Sequence, residues 1–206
     1  RIKKIIVAIP KSAENKKLKK LLIKNNYLVF EGNQNDVLNR YYECAKKFSA
    51  EHILRVTGDC PLIDSKIIDK AIKIYNQKNY DYVSNVENRT YPDGMDVEIF
   101  SFKILEKANN LNLSISDREH VTKYFLRSDK IKKKNFLNNH DFSNIRITLD
   151  TIYDYKLIKK IFNNFKSFSF NLNDIINFYF KNKKVLDELN KKSEQINLNR
   201  LSKGQK

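Results

Sequence analysis

The chain has 206 residues, of which 41% are hydrophobic, and this is enough to build the core of one large domain. Its formal net charge of +16 attracts nucleic acids, membrane surfaces and nucleoside triphosphates alike, and so does not choose among them. Two cysteines are too few for a disulfide scaffold or a zinc site. No apolar run approaches the length of a membrane span and the first residues lack the features of a signal peptide, so we expect a cytoplasmic protein without membrane insertion.

Apolar periodicity and turn residues predict strands and helices that alternate along the chain. In chain order the predicted elements are a strand at 5–9, a helix at 16–25, a strand at 27–30, a helix at 37–48, a strand ending at 59, a helix at 65–77, strands at 82–86 and 95–101, helices at 103–109 and 117–127, a strand at 145–149, and helices at 152–163 and 173–180. Repeated strand–helix units favour an α/β fold with a mainly parallel sheet covered by helices on both faces. We assign residues 1–190 to one domain and expect residues 191–206 to form a loose, polar and basic tail.

Several polar residues stand where helices are predicted to begin. Asp36 and Asp64 are expected to cap the helices that follow them, since a side-chain oxygen at that position accepts a backbone N–H. Residues 116–119 (SDRE) have the spacing of a capping box, in which a hydroxyl and a carboxylate satisfy each other's amides. Thr151 and Asp154 have the same spacing at the start of a later helix.

Two aspartates follow predicted apolar strands. The run from Arg55 to Asp64, RVTGDCPLID, places Asp59 at the end of a strand, and in open α/β sheets ligands bind at that edge. Asp150 ends the segment Ile145–Leu149 in the same way. Mg²⁺ usually takes one or two carboxylates together with substrate phosphates, so this pair of aspartates suits a shared Mg²⁺. The alternative is that both aspartates only cap helices.

Arginine is scarce, with eight arginines among 40 basic residues, yet several arginines lie in the polar motif segments. They are Arg40, Arg55, Arg118 and Arg146. Arginine holds planar oxyanions bidentately and lysine does not, so these positions suit phosphate or carboxylate sites. The lysines form scattered clusters without a basic motif interleaved with aromatic residues, which favours solvated faces over a nucleic-acid surface.

Four segments, taken in order, resemble one protein family. They are residues 30–32 with 36–41 (FEG and DVLNRY), residues 55–64 (RVTGDCPLID), residues 91–98 (YPDGMDVE), and residues 118–122 with 146–150 (REHVT and RITLD). The series is similar to the cytidylyltransferases of the spore coat polysaccharide type, relatives of the enzymes that activate N-acylneuraminate and 3-deoxy-manno-octulosonate as CMP-sugars. The resemblance covers roughly residues 2–190, and the TGDCP match at 57–61 belongs to the spore coat subgroup.

The resemblance implies a three-layer fold of the nucleotide-diphospho-sugar transferase type, GT-A-like and Rossmann-like, that binds CTP and Mg²⁺. It implies that a sugar hydroxyl attacks the α-phosphate and that pyrophosphate leaves, which makes a CMP-sugar for surface glycan synthesis. Asp59 and Asp150 match the metal-binding carboxylates of the sugar-acid relatives, and Arg55 is grouped with them as a catalytic residue. A homodimer is also implied, and no nucleic-acid partner is expected.

Five further residues are assigned to substrate binding: Arg40, Asp96, Glu98, Arg118 and His120. Asp96 and Glu98 project to one face of a predicted strand, either into a sugar pocket or into solvent at the edge of a sheet. Arg118 and His120 are expected to meet a carboxylate or a phosphate. Arg40, one helical turn after Asp36, is expected to reach the nucleotide.

The family opens with a strand and a loop of Arg, Ser, Gly, Pro and Lys that wraps the triphosphate, and nothing in this chain matches that loop. We therefore expect a chain that lacks the first βα unit and has little activity alone. Two other functions stay open. A GT-A glycosyltransferase would consume a nucleotide sugar and is expected to show an Asp-x-Asp triplet, which the sequence does not contain. A basic nucleic-acid-binding module predicts salt-dependent binding to any polynucleotide but leaves the paired aspartates unexplained.

Overall fold

The computed structural model describes residues 2–77, 79–165 and 169–202, and within these ranges strands alternate with helices as predicted. The strands are β1 (Ile6–Pro10), β2 (Leu28–Gly32), β3 (His52–Arg55), β4 (Tyr82–Ser84), β5 (Glu98–Ser101) and β6 (Lys133–Asn135). The helices are α1 (Lys16–Lys24), α2 (Val37–Lys47), α3 (Ser65–Tyr75), α4 (Phe102–Asn109), α5 (Ile115–His120), α6 (Lys123–Arg127), α7 (Ile152–Asn164), α8 (Leu172–Lys181) and α9 (Lys183–Ser202). Over the same ranges, none of the helices combines the length and the apolar character needed to cross a membrane.

Backbone contacts divide the chain into two units. Unit 1 takes Arg1–Arg55, Ile72–Val83 and Glu98–Lys134, and unit 2 takes Val56–Ala71, Ser84–Val97 and Asn135–Lys206. Both sheets belong to unit 1, apart from the last residues of β4 and β6. The predicted extent of the domain, residues 1–190, stays a prediction.

Unit 1 contains a parallel pair of strands and a mixed sheet. β1 and β2 pair in parallel, with Ala8 beside Phe30 at the centre of the register. The second sheet has the strand order β3, β5, β4, β6, and β3 runs antiparallel to β5. The register places Arg55 opposite Glu98. Residues directly opposite each other in an antiparallel pair have neighbouring side chains, so the strand pairing alone brings these two charges together.

The core of unit 1 is made of aromatic and aliphatic side chains from α2, β4, β5, α4 and α6. The innermost of them, each at most 1% exposed, are Leu38, Tyr82, Phe100, Leu105 and Phe125. The ring of Phe125 meets Phe100 at 5.2 Å and Tyr82 at 5.7 Å between centroids, in both cases edge to face. Edge-to-face contact is a favoured geometry for aromatic pairs. This packing holds α2 and β5, and the candidate residues on them, in fixed positions.

In unit 2, α7 packs along α9 and the carboxylate of Asp64 joins two helix starts. Asp64 accepts the backbone amide of Lys66 at the start of α3 (2.8 Å) and the amide of Leu172 at the start of α8 (2.8 Å). The first of these bonds confirms the predicted cap. Between α7 and α9 the hydroxyl of Thr151 donates to that of Ser193 (2.9 Å), and both side chains are buried. Polar contacts thus fix how these helices begin.

The loop before β5 is held by a buried asparagine. Asn85, 0% exposed, donates to the carbonyl oxygen of Met95 (2.7 Å) and accepts from the amide of Val97 (2.9 Å). Within this loop Gly94 has φ +105°, a conformation that side-chain-bearing residues rarely adopt. A Cβ at this position would lie 2.8 Å from the carbonyl oxygen of Ile147, so only glycine fits here.

Several segments differ from the predicted elements, and β6 (Lys133–Asn135) was not predicted. The strand predicted to end at Asp59 ends at Arg55, so Asp59 lies in the loop after β3 and not at a strand end. The strand predicted at 95–101 begins only at Glu98, and residues 97–100 are all buried, so the predicted alternation of exposed and buried faces is wrong. Residues 145–149 form no strand in the structure as described, and Arg146 makes only a single parallel bridge with Asp93. The helix predicted at 117–127 is interrupted at Val121, whose φ of +60° cannot continue a helix, and is therefore two helices, α5 and α6.

The predicted capping box before α5 is displaced by two residues. The hydroxyl of Ser114, rather than that of Ser116, accepts the amide of Asp117 (3.2 Å). The same hydroxyl donates to the Asp117 carboxylate (2.6 Å), so the cap is made by the preceding serine of the SIS sequence. Both serines are followed three residues later by an acidic residue, as a capping box requires. Because α5 begins at Ile115, Ser114 is the N-cap.

The chain continues as helix beyond residue 190. The prediction of a loose tail is wrong for residues 191–202, which belong to α9, and residues 203–206 lie outside the described residues. Three side chains spaced four and three residues apart make the buried stripe of this helix: Leu186, Asn190 and Ser193. Contact of this stripe with the rest of unit 2 explains why such a polar, basic segment is helical.

Candidate active site

The eight predicted site residues are divided between the two units. Arg40, Arg55, Glu98, Arg118 and His120 belong to unit 1, and Asp59, Asp96 and Asp150 belong to unit 2. Each unit therefore holds its own group of polar side chains.

In unit 2, the two aspartates predicted to share a metal ion lie on neighbouring segments. The backbone amide of Leu149 donates to the carbonyl oxygen of Asp59 (2.9 Å), so Asp150 directly follows a residue bonded to the Asp59 loop. Neither aspartate caps a helix, because Asp64 serves the start of α3 and Thr151 is the N-cap of α7. The capping alternative does not apply, and binding of one ion by both carboxylates stays a prediction.

Asp150 is held by neighbouring side chains. Its carboxylate, 41% exposed, accepts from Arg146 Nη2 (2.5 Å) and from the hydroxyl of Thr148 (3.2 Å). Arg146 also donates to Asp154 (2.6 Å), and Asp154 accepts the amides of Asp150 (2.9 Å) and Thr151 (2.7 Å). Thr151 and Asp154 form the predicted capping box, which is confirmed. Burial acts to lower the pKa of Arg146, but the aspartates raise it above its ordinary value, so a fixed positive charge orients Asp150.

A second acidic group surrounds Arg89. Arg89 pairs with both oxygens of Asp96, the Nη2–Oδ2 contact being 3.0 Å, and lies 3.5 Å from Asp93. Burial raises the pKa of Asp93, and the like charges of Asp96 and Asp59 add to this, although Arg89 opposes them. A partly buried carboxyl with a raised pKa among other carboxylates is typical of a functional site. Arg89 and Asp93 were not predicted as site residues from the sequence. Arg89 could have been identified as a candidate because arginine is scarce in this chain.

The donor chemistry of unit 2 fits Mg²⁺ best at Asp59. Over the described part of the chain no cluster of three or more His, Cys, Asp or Glu is arranged to hold a metal ion. Mg²⁺ needs only one or two carboxylates when substrate phosphates supply further oxygens. Among the described contacts, the Asp59 carboxylate accepts only a long bond from the Cys60 thiol (3.8 Å). Burial raises the pKa of Cys60 to about 11, so this thiol stays protonated at neutral pH and adds no negative charge beside Asp59.

In unit 1, Arg55 and Glu98 form a buried ion pair. Their side chains are 17% and 3% exposed, and the Tyr82 hydroxyl donates to Glu98 Oε1 (2.5 Å). Burial acts to lower the pKa of Arg55, but Glu98 raises it well above its ordinary value. Both carboxylate oxygens of Glu98 bind partners inside the protein, which excludes the alternative of a solvent-exposed face for Glu98, and its role in a sugar pocket stays a prediction. Arg55 stays a predicted catalytic residue, with its charge already compensated by Glu98.

Arg118 is tied to the start of α2. Its Nε donates to Asp36 Oδ2 (2.7 Å), and its Nη2 donates to the side chain of Asn109 (3.1 Å). The other Asp36 oxygen accepts the amide of Asn39 (2.9 Å), which confirms the predicted cap. Arg118 therefore connects two of the motif segments and positions α2. His120, the last residue of α5, is exposed, so its assignment to substrate binding stays a prediction.

Three comparisons with known proteins agree with this architecture. The cytidylyltransferase family model matches residues 1–200, so the chain belongs to the cytidylyltransferase family. The chain is 34% identical over 184 residues to the uncharacterized protein MJ1063 of Methanocaldococcus jannaschii, with 88% of this chain and 74% of the relative covered. It is 27% identical over 146 residues to the spore coat polysaccharide biosynthesis protein SpsF of Bacillus subtilis, with 68% of this chain and 59% of the relative covered.

A solved structure gives the same result for the fold. The chain superimposes on a cytidylyltransferase from Leptospira borgpetersenii with a TM-score of 0.83 and 36% identity, over 88% of this chain and 77% of that one. The resemblance stated from the four motif segments is confirmed, and so is the α/β fold with mixed sheets. Family membership supports nucleotidyltransferase activity.

Proposed function

We propose that the protein transfers CMP from CTP to a hydroxyl of a sugar or sugar acid, releases pyrophosphate, and so supplies a CMP-sugar for surface glycan synthesis. The observation that carries the proposal is the hydrogen bond between Leu149 and Asp59, which brings together the two acidic segments of a chain that belongs to the cytidylyltransferase family. The name of the SpsF relative supports a role in polysaccharide synthesis.

In this proposal Asp59 and Asp150 hold Mg²⁺. When bound, the ion supplies positive charge that offsets the charge developing on the α-phosphate and on the pyrophosphate. Arg146 fixes the Asp150 carboxylate from one side (2.5 Å), so its second oxygen is oriented before substrate arrives. Arg89 holds Asp96 through both oxygens, which orients that carboxylate to accept a sugar hydroxyl. Fixed carboxylates need little rearrangement during the reaction, which is the main advantage of a preorganised site.

Pyrophosphate release by the complete protein, as its gene encodes it, tests the proposal. The protein is incubated with Mg²⁺, each of the four nucleoside triphosphates, and a panel of sugars and sugar acids that includes N-acetylneuraminate and 3-deoxy-manno-octulosonate. We expect CTP to be preferred, and we expect Asp59→Asn to lower turnover by roughly a hundredfold or more. Asp69→Asn is the matched control, because Asp69 is an exposed aspartate of α3.

Three outcomes would count against this function. Preference for UTP or GTP would keep the reaction class but reject the base. Undiminished turnover in Asp59→Asn would reject the role of that carboxylate. No pyrophosphate release with any sugar in the panel, together with hydrolysis of a nucleotide sugar, would favour a glycosyltransferase.

A further inference from the structure

Arg40 is a buried cation that stands apart from the carboxylates of the described residues. Arg40 lies in the first half of α2, on the buried face of the helix, and is 9% exposed. Among the described residues no carboxylate lies within 4.0 Å of its guanidinium, whereas Arg55 and Arg118 in the same unit each contact one. Its Nη1 donates to the carbonyl oxygens of Asn33 (2.5 Å) and Gln34 (3.3 Å). Its Nε is buried and meets no acceptor.

Such a charge is unfavourable in a protein interior. Burial disfavours the charged form of any side chain unless an opposite charge or a full set of hydrogen bonds compensates. Burial lowers the pKa of Arg40, and only Tyr41 acts in the opposite direction. Both described acceptors of Arg40 are neutral carbonyl groups that bind Nη1. The opposite edge of the guanidinium, formed by Nε and Nη2, has no described acceptor. That edge is the planar fork with which arginine binds carboxylates and phosphates.

The surrounding backbone is shaped around this side chain. A Cβ on Gly32 would lie 2.7 Å from Arg40 Cγ, so glycine at the end of β2 lets the arginine pass close to the chain. The loop that follows is exposed and folds through Asn33, whose side-chain oxygen accepts the amides of Asn35 and Asp36 (3.0 Å each). Arg40 thus lies beneath a short exposed loop, and because its Nε is buried, an oxyanion reaches the whole fork only if this loop shifts.

The start of α2 adds to the attraction for an anion. The loop leads into the N-terminus of this 11-residue helix, where the helix dipole favours negative charge. Asp36, the N-cap, would repel an anion, but its carboxylate is paired with Arg118 (2.7 Å). With Asp36 and Arg118 compensating each other, Arg40 gives this corner of unit 1 a net positive charge.

We propose that Arg40, with the loop at residues 32–36, is the binding site for an oxyanion of the substrate. The inference rests on the proposed function, in which both substrates carry such groups: the phosphates of the nucleotide and, for a sugar acid, its carboxylate. Arg40 is then a substrate-binding residue because its guanidinium fork, and not its charge alone, recognises the group. Lysine at this position would keep the charge and lose the fork.

Binding of two probes without turnover tests the proposal. Isothermal titration calorimetry at physiological salt measures the affinity of the complete protein for inorganic pyrophosphate and for N-acetylneuraminate, in the wild type and in Arg40→Lys. We expect Arg40→Lys to weaken one of the two probes by roughly tenfold or more. Lys46→Gln is the matched control, since Lys46 is an exposed cation on the same helix and its loss lowers the net charge without touching the fork.

Each outcome has a defined meaning. Weaker pyrophosphate binding in Arg40→Lys assigns the site to the nucleotide, and weaker N-acetylneuraminate binding assigns it to the sugar acid; either supports the proposal. Two results would overturn the proposal: unchanged affinity of Arg40→Lys for both probes, or an equal loss of affinity in Lys46→Gln. Either would show that Arg40 only binds the carbonyl groups of its own loop. Failure of the wild type to bind either probe would also overturn it.

Two further readouts keep the result interpretable. Thermal unfolding shows whether the Arg40→Lys variant is folded. If the variant is unfolded, the titration is replaced by hydrogen exchange of the wild-type backbone amides 33–41, measured with and without pyrophosphate or N-acetylneuraminate. We expect slower exchange with the bound probe, and no change with either probe would overturn the site. If pyrophosphate binding depends on Arg40 but no CMP-sugar forms, the proposed function fails and the oxyanion site stands.

Discussion

The Arg55–Glu98 pair allows a direct test of how the interior of unit 1 is stabilised. Glu98→Gln keeps the shape of the side chain and keeps an oxygen for the Tyr82 hydroxyl, which lies 2.5 Å from Glu98 Oε1. The substitution removes the negative charge and places an amide nitrogen, which is a donor, where Oε2 accepts from Arg55. Arg55, whose side chain is 17% exposed, is then left without the carboxylate that compensates it.

The size of the effect follows from the burial of the two groups. Removing one partner of a buried ion pair typically costs about 3–5 kcal/mol, because the remaining charge stays desolvated. The Glu98 side chain is 3% exposed and that of Arg55 is 17% exposed, so water partly screens the arginine. We therefore expect Glu98→Gln to lower the free energy of unfolding by about 3 kcal/mol, the lower end of that range.

Urea denaturation followed by circular dichroism at neutral pH measures this loss. The double variant Arg55→Met with Glu98→Gln is expected to recover much of it, because no unpaired charge is left inside. Glu188→Gln is the surface control: Glu188 pairs with Lys192 (2.7 Å), but its side chain is 63% exposed, so no measurable change is expected. A Glu98→Gln loss as small as that of Glu188→Gln, or a double variant no more stable than the single one, would refute the reasoning.

Two other substitutions test single features of the fold. Gly94→Ala is expected to lower the free energy of unfolding by about 1–3 kcal/mol, because Gly94 has φ +105° and a Cβ would lie 2.8 Å from a backbone oxygen. Gly58→Ala, where a Cβ would meet nothing within 4 Å, is its control, and equal losses would contradict the argument. Arg127, aided by Ser114, holds the pKa of Asp117 in the folded protein below its usual range. The contribution of this carboxylate to the free energy of unfolding is therefore complete above the pKa of the unfolded state, ~3.9, and is lost as pH falls through the pKa of the folded state. Asp117→Asn should therefore flatten the acid limb of stability against pH, measured by urea unfolding, and an unchanged limb would show that this carboxylate adds nothing.

Local features of the site were predictable from the sequence. The Asp36 cap and the Thr151–Asp154 capping box were predicted correctly, because they depend on residues within three positions of each other. The four motif segments were enough to recognise the family. The start of α5 was misplaced because two serines have similar local patterns, and only the packed helix selects Ser114.

Contacts between distant residues were not predictable in the same way. Asp36 and Arg118 are 82 positions apart, and Arg55 and Glu98 are 43 positions apart, so their pairing depends on strand register and helix packing. The surroundings of Glu98 were not predictable for this reason: its spacing from Asp96 suggested a shared face, but the strand begins only at Glu98 and its side chain pairs with Arg55. Val121, with φ +60°, was a further surprise, since a β-branched residue gives no signal for that conformation.

The pattern of arginine partners explains why net charge says little about the ligand. The described ion pairs of arginine are Arg55–Glu98, Arg89 with Asp93 and Asp96, Arg118–Asp36, Arg127–Asp117, and Arg146 with Asp93, Asp150 and Asp154. In each pair the chain itself supplies the carboxylate. Most of the charge of +16 comes from lysines, and exposed charges further apart than the screening length of ~8 Å at physiological salt contribute little to one another's field. Arg40 differs from the paired arginines because its described partners are carbonyl groups and not carboxylates. If the oxyanion proposal is correct, the substrate supplies at Arg40 what Glu98 supplies at Arg55. Arg40→Lys should then change binding in a way that removal of a surface lysine does not.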